Sequence, residues 1–388
     1  MAEMQKRFII NGTIITPTQR WDGGALLVAG GRIVGVGRRD DFGDPSGMEV
    51  IDAAGCWVVP GFVDVHVHGA LGRDMMEGSV EAIFAAAAFY ARHGTTAFLP
   101  TSITDRAASI ERFLEAVAEA RRQGTGGAQV LGAHVEGPYI SPKMAGAQPP
   151  EFIRPADPEE YGRWLASGVV RLLTLAPEVP ENRALIPYAL QHGAVVSIGH
   201  SAATFDEALA AVRLGANHVT HTFNAMTGLH HREPGVVGAA LACDEVFAEL
   251  IADTVHVHPA AMTVLVRAKG PERTVLVTDA MAATGLGDGD YPLGAQVVCV
   301  RAGVARTAGG SLAGSLLTMD QAVRNLVQVV GCPLAQAVEM ASLTPARSIG
   351  VADRKGSLEP GKDADLTLLD EGLQVVMTMV GGQVVYRR

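Results

Sequence analysis

The chain has 388 residues, of which 48% are apolar and 19% charged, and its formal net charge is −10. This length is enough for one large hydrophobic core and a small second unit. The negative charge, with no Lys- or Arg-rich block, argues against nucleic acid or an anionic membrane as the partner. The composition is typical of a soluble α/β enzyme, and one arginine in a pocket would still allow a small anionic substrate.

Cysteine usage and the absence of long apolar runs indicate the compartment. The four cysteines are scattered and form no Cys-x-x-Cys pair, which predicts a reduced protein without a thiolate metal site. Neither the first eleven residues nor any later segment has the apolar stretch of a signal peptide or a membrane span. We therefore expect a cytoplasmic protein.

The first 55 residues predict short β-strands separated by tight turns. Phe8, Ile9 and Ile10 lead into Asn11-Gly12, a dipeptide that favours a β-hairpin. Such a small β region cannot bury a full core alone. Residues 355–388 return to the same β pattern, so we predict a small β-sandwich domain built from both chain ends, residues 1–55 plus 355–388.

The segment 56–354 repeats an apolar strand, a polar strand end and an amphipathic helix. Eight strands are predicted, at 61–66, 95–100, 130–135, 171–176, 194–199, 218–221, 248–252 and 274–277. Eight strand–helix units over about 220 residues indicate a (β/α)8 barrel of the TIM type. An open doubly wound sheet would bring a Gly-rich phosphate loop after its first strand, and none is present.

Side chains that can bind metal follow the predicted strands at their carboxyl ends, where barrels of this type have their active sites. They are His66, His68, Glu136, His200, His221 and Asp279. His66 and His68 alternate along one strand and so point the same way. Imidazole and carboxylate together favour Zn²⁺ or Fe²⁺ over Mg²⁺ or Ca²⁺. The pattern predicts one or two divalent transition-metal ions, with core histidines, a structural ion pair for Glu136 and a helix cap for Asp279 as the alternatives.

Eight segments resemble the amidohydrolase superfamily and, within it, the N-acetylglucosamine-6-phosphate deacetylase family. They lie at 60–69, 134–138, 199–201, 220–226, 251–256, 278–280, 312–315 and 360–365, and so span nearly the whole chain. The His-x-His pair and the Gly-Lys-Asp-Ala-Asp tail are shared by the superfamily. The segments His-x-Glu-Gly-Pro and Phe-Asn-Ala-Met are much more specific to the deacetylase branch.

The resemblance implies a role for each candidate residue of the metal centre. Three residues would hold the principal metal, and a further pair would hold a second one in members that keep it; these are Glu136, His200 and His221, then His66 and His68. Asp279 would be the catalytic acid and base and also a metal ligand. His256 would polarise the acetamide carbonyl of the substrate.

The same resemblance implies the residues that contact the substrate. They are Ala147, Gln148, Asn224, Ala225, Arg232, His256, Leu312, Ala313 and Gly314. Asn224, Ala225 and Arg232 would contact the sugar phosphate, while the segment 312–314 would line the sugar pocket. Some members have His where this chain has Gln148, and Gln can form hydrogen bonds but carries no charge. The family is typically a homodimer with part of the phosphate site near the subunit interface.

The activity implied is hydrolysis of N-acetyl-D-glucosamine 6-phosphate to D-glucosamine 6-phosphate and acetate, in amino-sugar catabolism. The alternatives within the superfamily are a cyclic amidase, a deaminase or an N-acyl amino acid deacylase. Cyclic amidases usually bridge two metals with a carboxylated Lys after strand four, where this chain has Ala176, Pro177 and Glu178. A metal-free barrel acting as an interaction protein is disfavoured because all six ligand positions are filled.

Overall fold

The computed structural model describes residues 6–388, so the first five residues of the predicted small domain lie outside it. The strands are β1 (Lys6–Ile15), β2 (Arg20–Ala29), β3 (Arg32–Arg38), β4 (Glu49–Asp52), β5 (Trp57–Pro60), β6 (Phe62–Val67), β7 (Gly69–Ala70), β8 (Arg73–Asp74), β9 (Thr95–Pro100), β10 (Gln129–Val130), β11 (Ala133–Glu136), β12 (Val170–Leu175), β13 (Val195–Ile198), β14 (His218–Val219), β15 (Phe247–Ile251), β16 (Thr274–Val277), β17 (Gly289–Leu293), β18 (Gln296–Arg301), β19 (Val304–Arg306), β20 (Leu366–Leu369), β21 (Val375–Val380) and β22 (Gln383–Arg387).

The helices lie mainly between the strands from β6 to β16 and after β19. The α-helices are α1 (Val80–Arg92), α2 (Ala107–Gln123), α3 (Pro158–Ala166), α4 (Pro180–Gln191), α5 (Phe205–Arg213), α6 (Gly235–Ala242), α7 (Pro259–Lys269), α8 (Met319–Asn325), α9 (Leu334–Ala341) and α10 (Leu343–Ser348). Single 3₁₀ turns occupy Arg39–Asp41, Met75–Glu77, Pro142–Met144 and Pro150–Phe152, and a π-helical turn at Leu326–Val330 continues α8. None of the helices within residues 6–388 is both long and apolar enough to cross a bilayer.

One sheet of eight strands draws on both ends of the chain. Its hydrogen-bonded order is β22-β21-β20-β5-β1-β2-β3, and β4 pairs with β1. Alternating residues of these strands, such as Ile14, Leu26 and Leu366, are fully buried in a common apolar cluster. The sheet includes β5, which lies just after the predicted domain limit at residue 55. A sandwich arrangement of this sheet stays a prediction.

All eight strands predicted for the barrel are present and parallel. β10, β9 and β6 form one sheet, while β11 to β16 form a second sheet in chain order. Isolated parallel bridges, Val67 with Ala280 and Thr101 with His134, connect the two sheets. The third predicted strand is interrupted at Gly132 and divides into β10 and β11. Residues on both faces of β6, β9 and β11 are buried, as expected for parallel strands covered on both sides.

Four of the helices between these strands, α1, α3, α5 and α7, begin at a residue whose side chain caps the helix. Ser79 accepts a hydrogen bond from the Ala82 backbone N–H at the start of α1, and Thr204 forms a capping box with Glu207 at the start of α5. In α1 the apolar face, including Ile83, Ala86 and Ala87, is fully buried. Apolar residues three and four positions apart therefore form the face of α1 that packs against one side of the parallel strands.

Candidate metal centre and active site

The six predicted ligand residues lie in or just beyond the carboxyl ends of the parallel strands. His66 lies in β6 with His68 just after it, and Glu136 ends β11. His200, His221 and Asp279 each come two residues after a strand, with backbone φ angles of 47°, 29° and 52°. The left-handed region costs a residue with a Cβ roughly 1–2 kcal/mol. Such strain persists where the surrounding structure imposes it, and it is concentrated at functional sites.

Two glycines in the characteristic motifs are required by close packing behind the ligands. Gly137 follows Glu136 with φ 75°, and a Cβ there would lie 2.1 Å from Thr104 Oγ1. Gly199 precedes His200, and its Cβ would lie 2.7 Å from side-chain atoms of both Thr174 and Thr220. A larger residue at either position would displace the neighbouring ligand.

The six side chains converge, as predicted, around the carboxylate of Glu136. Its Oε1 lies 3.2 Å from His200 Nε2 and 3.1 Å from His221 Nε2, and these two nitrogens are 3.1 Å apart. Glu136 Oε1 also lies 3.5 Å from His66 Nε2, and its Oε2 lies 3.4 Å from His68 Nε2. Asp279 Oδ1 lies 3.1 Å from His68 Nε2. Two groups of potential ligands therefore share Glu136.

The donor atoms fit divalent transition metals. With nitrogen–metal bonds of 2.0–2.1 Å, two nitrogen ligands of a tetrahedral ion lie about 3.3 Å apart. The Nε2 atoms are separated by 3.2 Å in the pair His66 and His68, and by 3.1 Å in the pair His200 and His221. The Nδ1 of His200 lies 2.9 Å from the Met144 carbonyl oxygen, to which it donates when Nε2 keeps its lone pair for a metal.

The carboxylates attract positive charge into this buried site. Burial disfavours the charged form of His66, but the charges of Glu136 and Asp279 outweigh it and raise the pKa of His66 well above its usual range. For His68, burial is likewise outweighed by hydrogen bonds to Asp279 and Glu136, which raise its pKa to about 9. Burial raises the pKa of Glu136, but the neighbouring imidazoles dominate and hold it well below the ordinary value.

His134 belongs to the layer behind the ligands. Its Nε2 lies 2.7 Å from Thr174 Oγ1, and its ring packs edge-on against His66 with 4.7 Å between ring centroids. Burial and the positive charge of His66 lower the pKa of His134 well below its usual value, so the ring is neutral. This position agrees with a supporting role and not with direct ligation.

A cavity of about 320 Å³ opens beside the ligands, at the small end of the range for ligand pockets. The predicted residues that line it are His68, Glu136, Ala147, Gln148, His200, His221, Asn224, Ala225, His256, Asp279, Leu312 and Gly314. His66 and Ala313 are fully buried behind this surface. Most residues of the cavity wall were therefore predicted from the sequence. Those that were not predicted are Ile103, Lys143, Met144, Gly146, Leu293 and Ser311.

Arg232 lies apart from the residues predicted to accompany it. It is exposed, its Nη1 is 2.7 Å from His231 Nε2, and it lines a neighbouring cavity that shares Met144 with the first. Within residues 6–388 the one lysine or arginine that lines the first cavity is Lys143. Its signal in the sequence was weak, since it is a single exposed lysine five residues before Gln148.

Gln148 is buried, and both the oxygen and the nitrogen of its side-chain amide form hydrogen bonds within the protein. Its Oε1 accepts a hydrogen bond from the Thr104 backbone N–H at 2.6 Å, which fixes the orientation of the amide. Its Nε2 then donates to Glu136 Oε2 at 2.9 Å. Gln148 thus holds the shared carboxylate and retains one N–H for a substrate.

His256 is oriented by Asp253, a partner that the sequence analysis did not assign. His256 Nδ1 lies 2.6 Å from Asp253 Oδ2, while Asp253 Oδ1 accepts from the backbone N–H groups of Val255 and His256. Burial lowers the pKa of His256, but the hydrogen bond and charge of Asp253 raise it overall. With Nδ1 bound to Asp253, Nε2 is the ring nitrogen left for a ligand in the cavity.

Comparison with known proteins identifies relatives over nearly the whole chain. A sequence model described as the Amidohydrolase family matches residues 57–385. The N-acetylglucosamine-6-phosphate deacetylase of Bacillus subtilis (strain 168) is 40% identical over 350 residues, 88% of each chain. The N-acetylgalactosamine-6-phosphate deacetylase of Escherichia coli O157:H7 is 43% identical over 342 residues, covering 88% of this chain and 90% of the relative.

A solved structure extends the similarity to the fold. It is a variant of the N-acetyl-D-glucosamine-6-phosphate deacetylase of Mycobacterium smegmatis in complex with N-acetyl-D-glucosamine-6-phosphate. It is 36% identical and superposes with a TM-score of 0.92 over 99% of this chain and 100% of its own. The predicted family resemblance is therefore confirmed.

We predict that Zn²⁺ binding to metal-free protein releases protons and weakens as the pH falls. His68 has a pKa of about 9 in the metal-free site, so at pH 7.5 a cation must displace its proton. Each displaced proton weakens binding about tenfold per pH unit below that pKa. Isothermal titration calorimetry in two buffers of different ionisation enthalpy measures the proton count at pH 7.5 and above pH 9. Equal heats in both buffers at pH 7.5 would contradict this prediction.

Proposed function

The chain belongs to the amidohydrolase family, and we propose that it hydrolyses N-acetyl-D-glucosamine 6-phosphate to D-glucosamine 6-phosphate and acetate, in amino-sugar catabolism. The observation that carries this proposal is the pair of ligand groups that share Glu136 beside a sugar-sized cavity. Relatives named for this activity include those of Bacillus subtilis (strain 168), similar over 88% of this chain, and of Bos taurus, 39% identical over 94% of it.

The metal centre is the first part of the proposal. Glu136, His200 and His221 would hold the principal ion, and His66 with His68 would hold a second, both Zn²⁺ or Fe²⁺ by ligand type. A divalent cation supplies Lewis acidity when bound, because it polarises a carbonyl oxygen and lowers the pKa of water to roughly 7.

Asp279 is suited to move the protons. In the metal-free site burial raises its pKa, but the charged His66 and His68 outweigh this and lower it, so Asp279 is ionised at neutral pH. A bound cation would replace those positive charges and favour the ionised form in the same way. It accepts a proton from the attacking water as the water oxygen bonds to the acetyl carbon. It then returns that proton to the sugar nitrogen as the C–N bond breaks, which gives the amine and acetate.

His256 is suited to stabilise the negative charge that develops on the carbonyl oxygen. Asp253 orients its ring and favours its protonated form. The Nε2–H would donate to the carbonyl oxygen, and one such donor contributes about 3–4 kcal/mol to the transition state. Asp279 and His256 both line the cavity, so they can act on one bound acetamide group.

The residues that would bind the substrate phosphate are the next part of the proposal. Asn224 and Ala225 line the cavity from the Phe-Asn-Ala-Met segment, and Lys143 adds a positive charge to the same wall. Arg232 lines the adjoining cavity and not this one. Because the family resemblance implies a homodimer with part of the phosphate site near the interface, we propose that Arg232 contacts the phosphate bound in the other subunit.

The finer layout of the fold also belongs to the proposal. The two parallel sheets would form one closed (β/α)8 barrel within the predicted segment 56–354, inserted in the β domain predicted from residues 1–55 and 355–388, which β5 extends to Pro60. The isolated bridges between the sheets support closure, as does the hydrogen bond from Thr278 Oγ1 to Asp64 Oδ2 at 2.6 Å. The four unpaired cysteines support a cytoplasmic location.

The relatives raise a second candidate substrate, the 4-epimer N-acetylgalactosamine 6-phosphate. The Escherichia coli relative at 43% identity is named for that sugar. The cyclic-amidase alternative has less support, because no Lys directly follows β12. Glu178, three residues after this strand, accepts hydrogen bonds from Ser201 Oγ and the Ala202 backbone N–H.

Acetate release from the two epimeric 6-phosphates tests the proposal directly. We expect turnover of the gluco substrate to stop with a chelator and to return with Zn²⁺, Fe²⁺ or Mn²⁺, and to exceed that of the galacto substrate. Faster release from the galacto sugar would favour the second candidate. Hydrolysis of hydantoins or N-acyl amino acids without acetate release from either sugar would contradict both.

We predict that Asp279→Asn lowers kcat by about 10²–10⁴-fold, because an amide cannot accept the proton from water. Metal content, measured by mass spectrometry, is expected to stay near the wild-type value. Asp290→Asn, at an exposed position of β17, serves as a control with unchanged kcat. Wild-type turnover in Asp279→Asn with metal bound would remove Asp279 from proton transfer.

We predict that Lys143→Ala and Arg232→Ala each raise KM about tenfold or more for the phosphorylated sugar and leave KM for unphosphorylated N-acetylglucosamine unchanged, since each removes a charge-assisted contact. Because Arg232 would act across an interface, the rise in KM caused by Arg232→Ala is expected to disappear under conditions that give monomers. An equal change in KM for both sugars would exclude the mutated residue from phosphate recognition.

A further inference from the structure

Glu249 is a buried acidic residue that the proposed reaction does not use. It lies in the middle of β15 and is fully buried, as are its side-chain partners His66 and His218. We propose that Glu249 is a positioning residue, which fixes the ring of His66 so that Nε2 faces the second metal position and whose negative charge makes that nitrogen a stronger metal ligand. This inference rests on the proposed metal centre and extends it to a residue that contacts neither metal nor substrate.

The contacts of Glu249 reach both ligand groups. Its Oε2 accepts from His66 Nδ1 at 3.0 Å and from the His221 backbone N–H at 2.8 Å. Its Oε1 pairs with His218 Nε2 at 3.1 Å. One carboxylate therefore contacts the side chain of a ligand in the first group and the strained backbone of a ligand in the second.

A carboxylate at this position determines which ring nitrogen carries the proton. Ionised Glu only accepts hydrogen bonds, so His66 must carry its proton on Nδ1 and keep the Nε2 lone pair for a metal. The negative charge also makes that lone pair more basic. Among the four ligand imidazoles, His200 has a backbone carbonyl as its Nδ1 partner, and the Nδ1 atoms of His68 and His221 have no hydrogen-bond partner within residues 6–388. His66 is the ligand ring supported by a charged group.

A purely structural ion pair with His218 is the competing explanation. Buried ion pairs are often no more stabilising than apolar residues of similar volume, so stability alone gives weak support for retaining one. The second oxygen of Glu249 does not contact His218. Within the described part of the chain, the hydrogen bonds of this oxygen, Oε2, go to the two ligand residues His66 and His221, which favours a role in the metal centre.

The variant Glu249→Gln separates the two explanations. Glutamine has the same shape, and its amide oxygen can still accept hydrogen bonds from His66 Nδ1 and the His221 backbone N–H. Its amide N–H can donate to His218 Nε2 when His218 carries its proton on Nδ1. It therefore removes the charge with little change in packing. We expect Co²⁺ titration of the metal-free variant, followed by visible absorbance, to show about 10–100-fold weaker binding at the position next to His66. Glu160→Gln, a buried carboxylate bonded to Tyr139 and Arg154, is the matched control with unchanged binding.

A double-mutant cycle with His66→Asn tests whether the effect passes through that ring. We expect Glu249→Gln to weaken Co²⁺ binding in the wild-type background and to have no further effect when His66 is already replaced. Equal weakening in both backgrounds, or unchanged binding in the single variant, would overturn the inference and leave the proposed function intact. Absence of Co²⁺ binding to the wild-type protein would overturn the metal centre and the inference together.

A measurement on the wild-type protein is independent of whether the variants fold. Neutron diffraction from crystals of the Zn²⁺-loaded protein locates the deuterium atoms of the imidazole rings. We expect deuterium on His66 Nδ1, directed at Glu249 Oε2. A bare Nδ1, or a ring turned away from Glu249, would overturn the assignment.

Discussion

The arrangement of the active site depends on one buried carboxylate that several imidazoles share. Glu136 is 1% exposed and has Nε2 atoms of four histidines within 3.5 Å. An isolated charge at that depth is costly, so it must be matched by positive charge, whether protons on the rings or a metal ion. Because Glu136 belongs to both groups of potential ligands, a cation bound by one group would change the affinity of the other group for a cation.

The parallel strands bring residues that are far apart in the sequence close to the Glu136 carboxylate. The ligands span positions 66 to 279, yet each is in or beside the carboxyl end of its own strand. Left-handed backbone at His200, His221 and Asp279 turns the chain immediately after the strands. The packed sheets stabilise this strained backbone, and Gly137 and Gly199 leave room there for the neighbouring threonine side chains.

Much of this site followed from the sequence because its signals are local. His66 and His68 alternate within one strand, and the other ligands come at the ends of recognisable apolar runs. Glu249 and Asp253 gave no comparable signal: a glutamate inside an apolar strand has no visible partner until the fold brings it to His66, 183 residues away. The placement of Arg232 depends on the path of a loop, which residue type alone does not fix. The strand break at Gly132 and the membership of β5 in the mixed sheet are likewise set by tertiary pairing.

The mixed sheet also has a consequence for synthesis of the protein on the ribosome. β5 pairs with β20 along its whole length, and β20 is followed by β21 and β22 at the very end of the chain. Until β20 emerges, one edge of β5 has no neighbour and offers unpaired backbone groups to other chains. Premature termination after the catalytic segment would therefore leave every metal ligand in place and still give a product prone to aggregate.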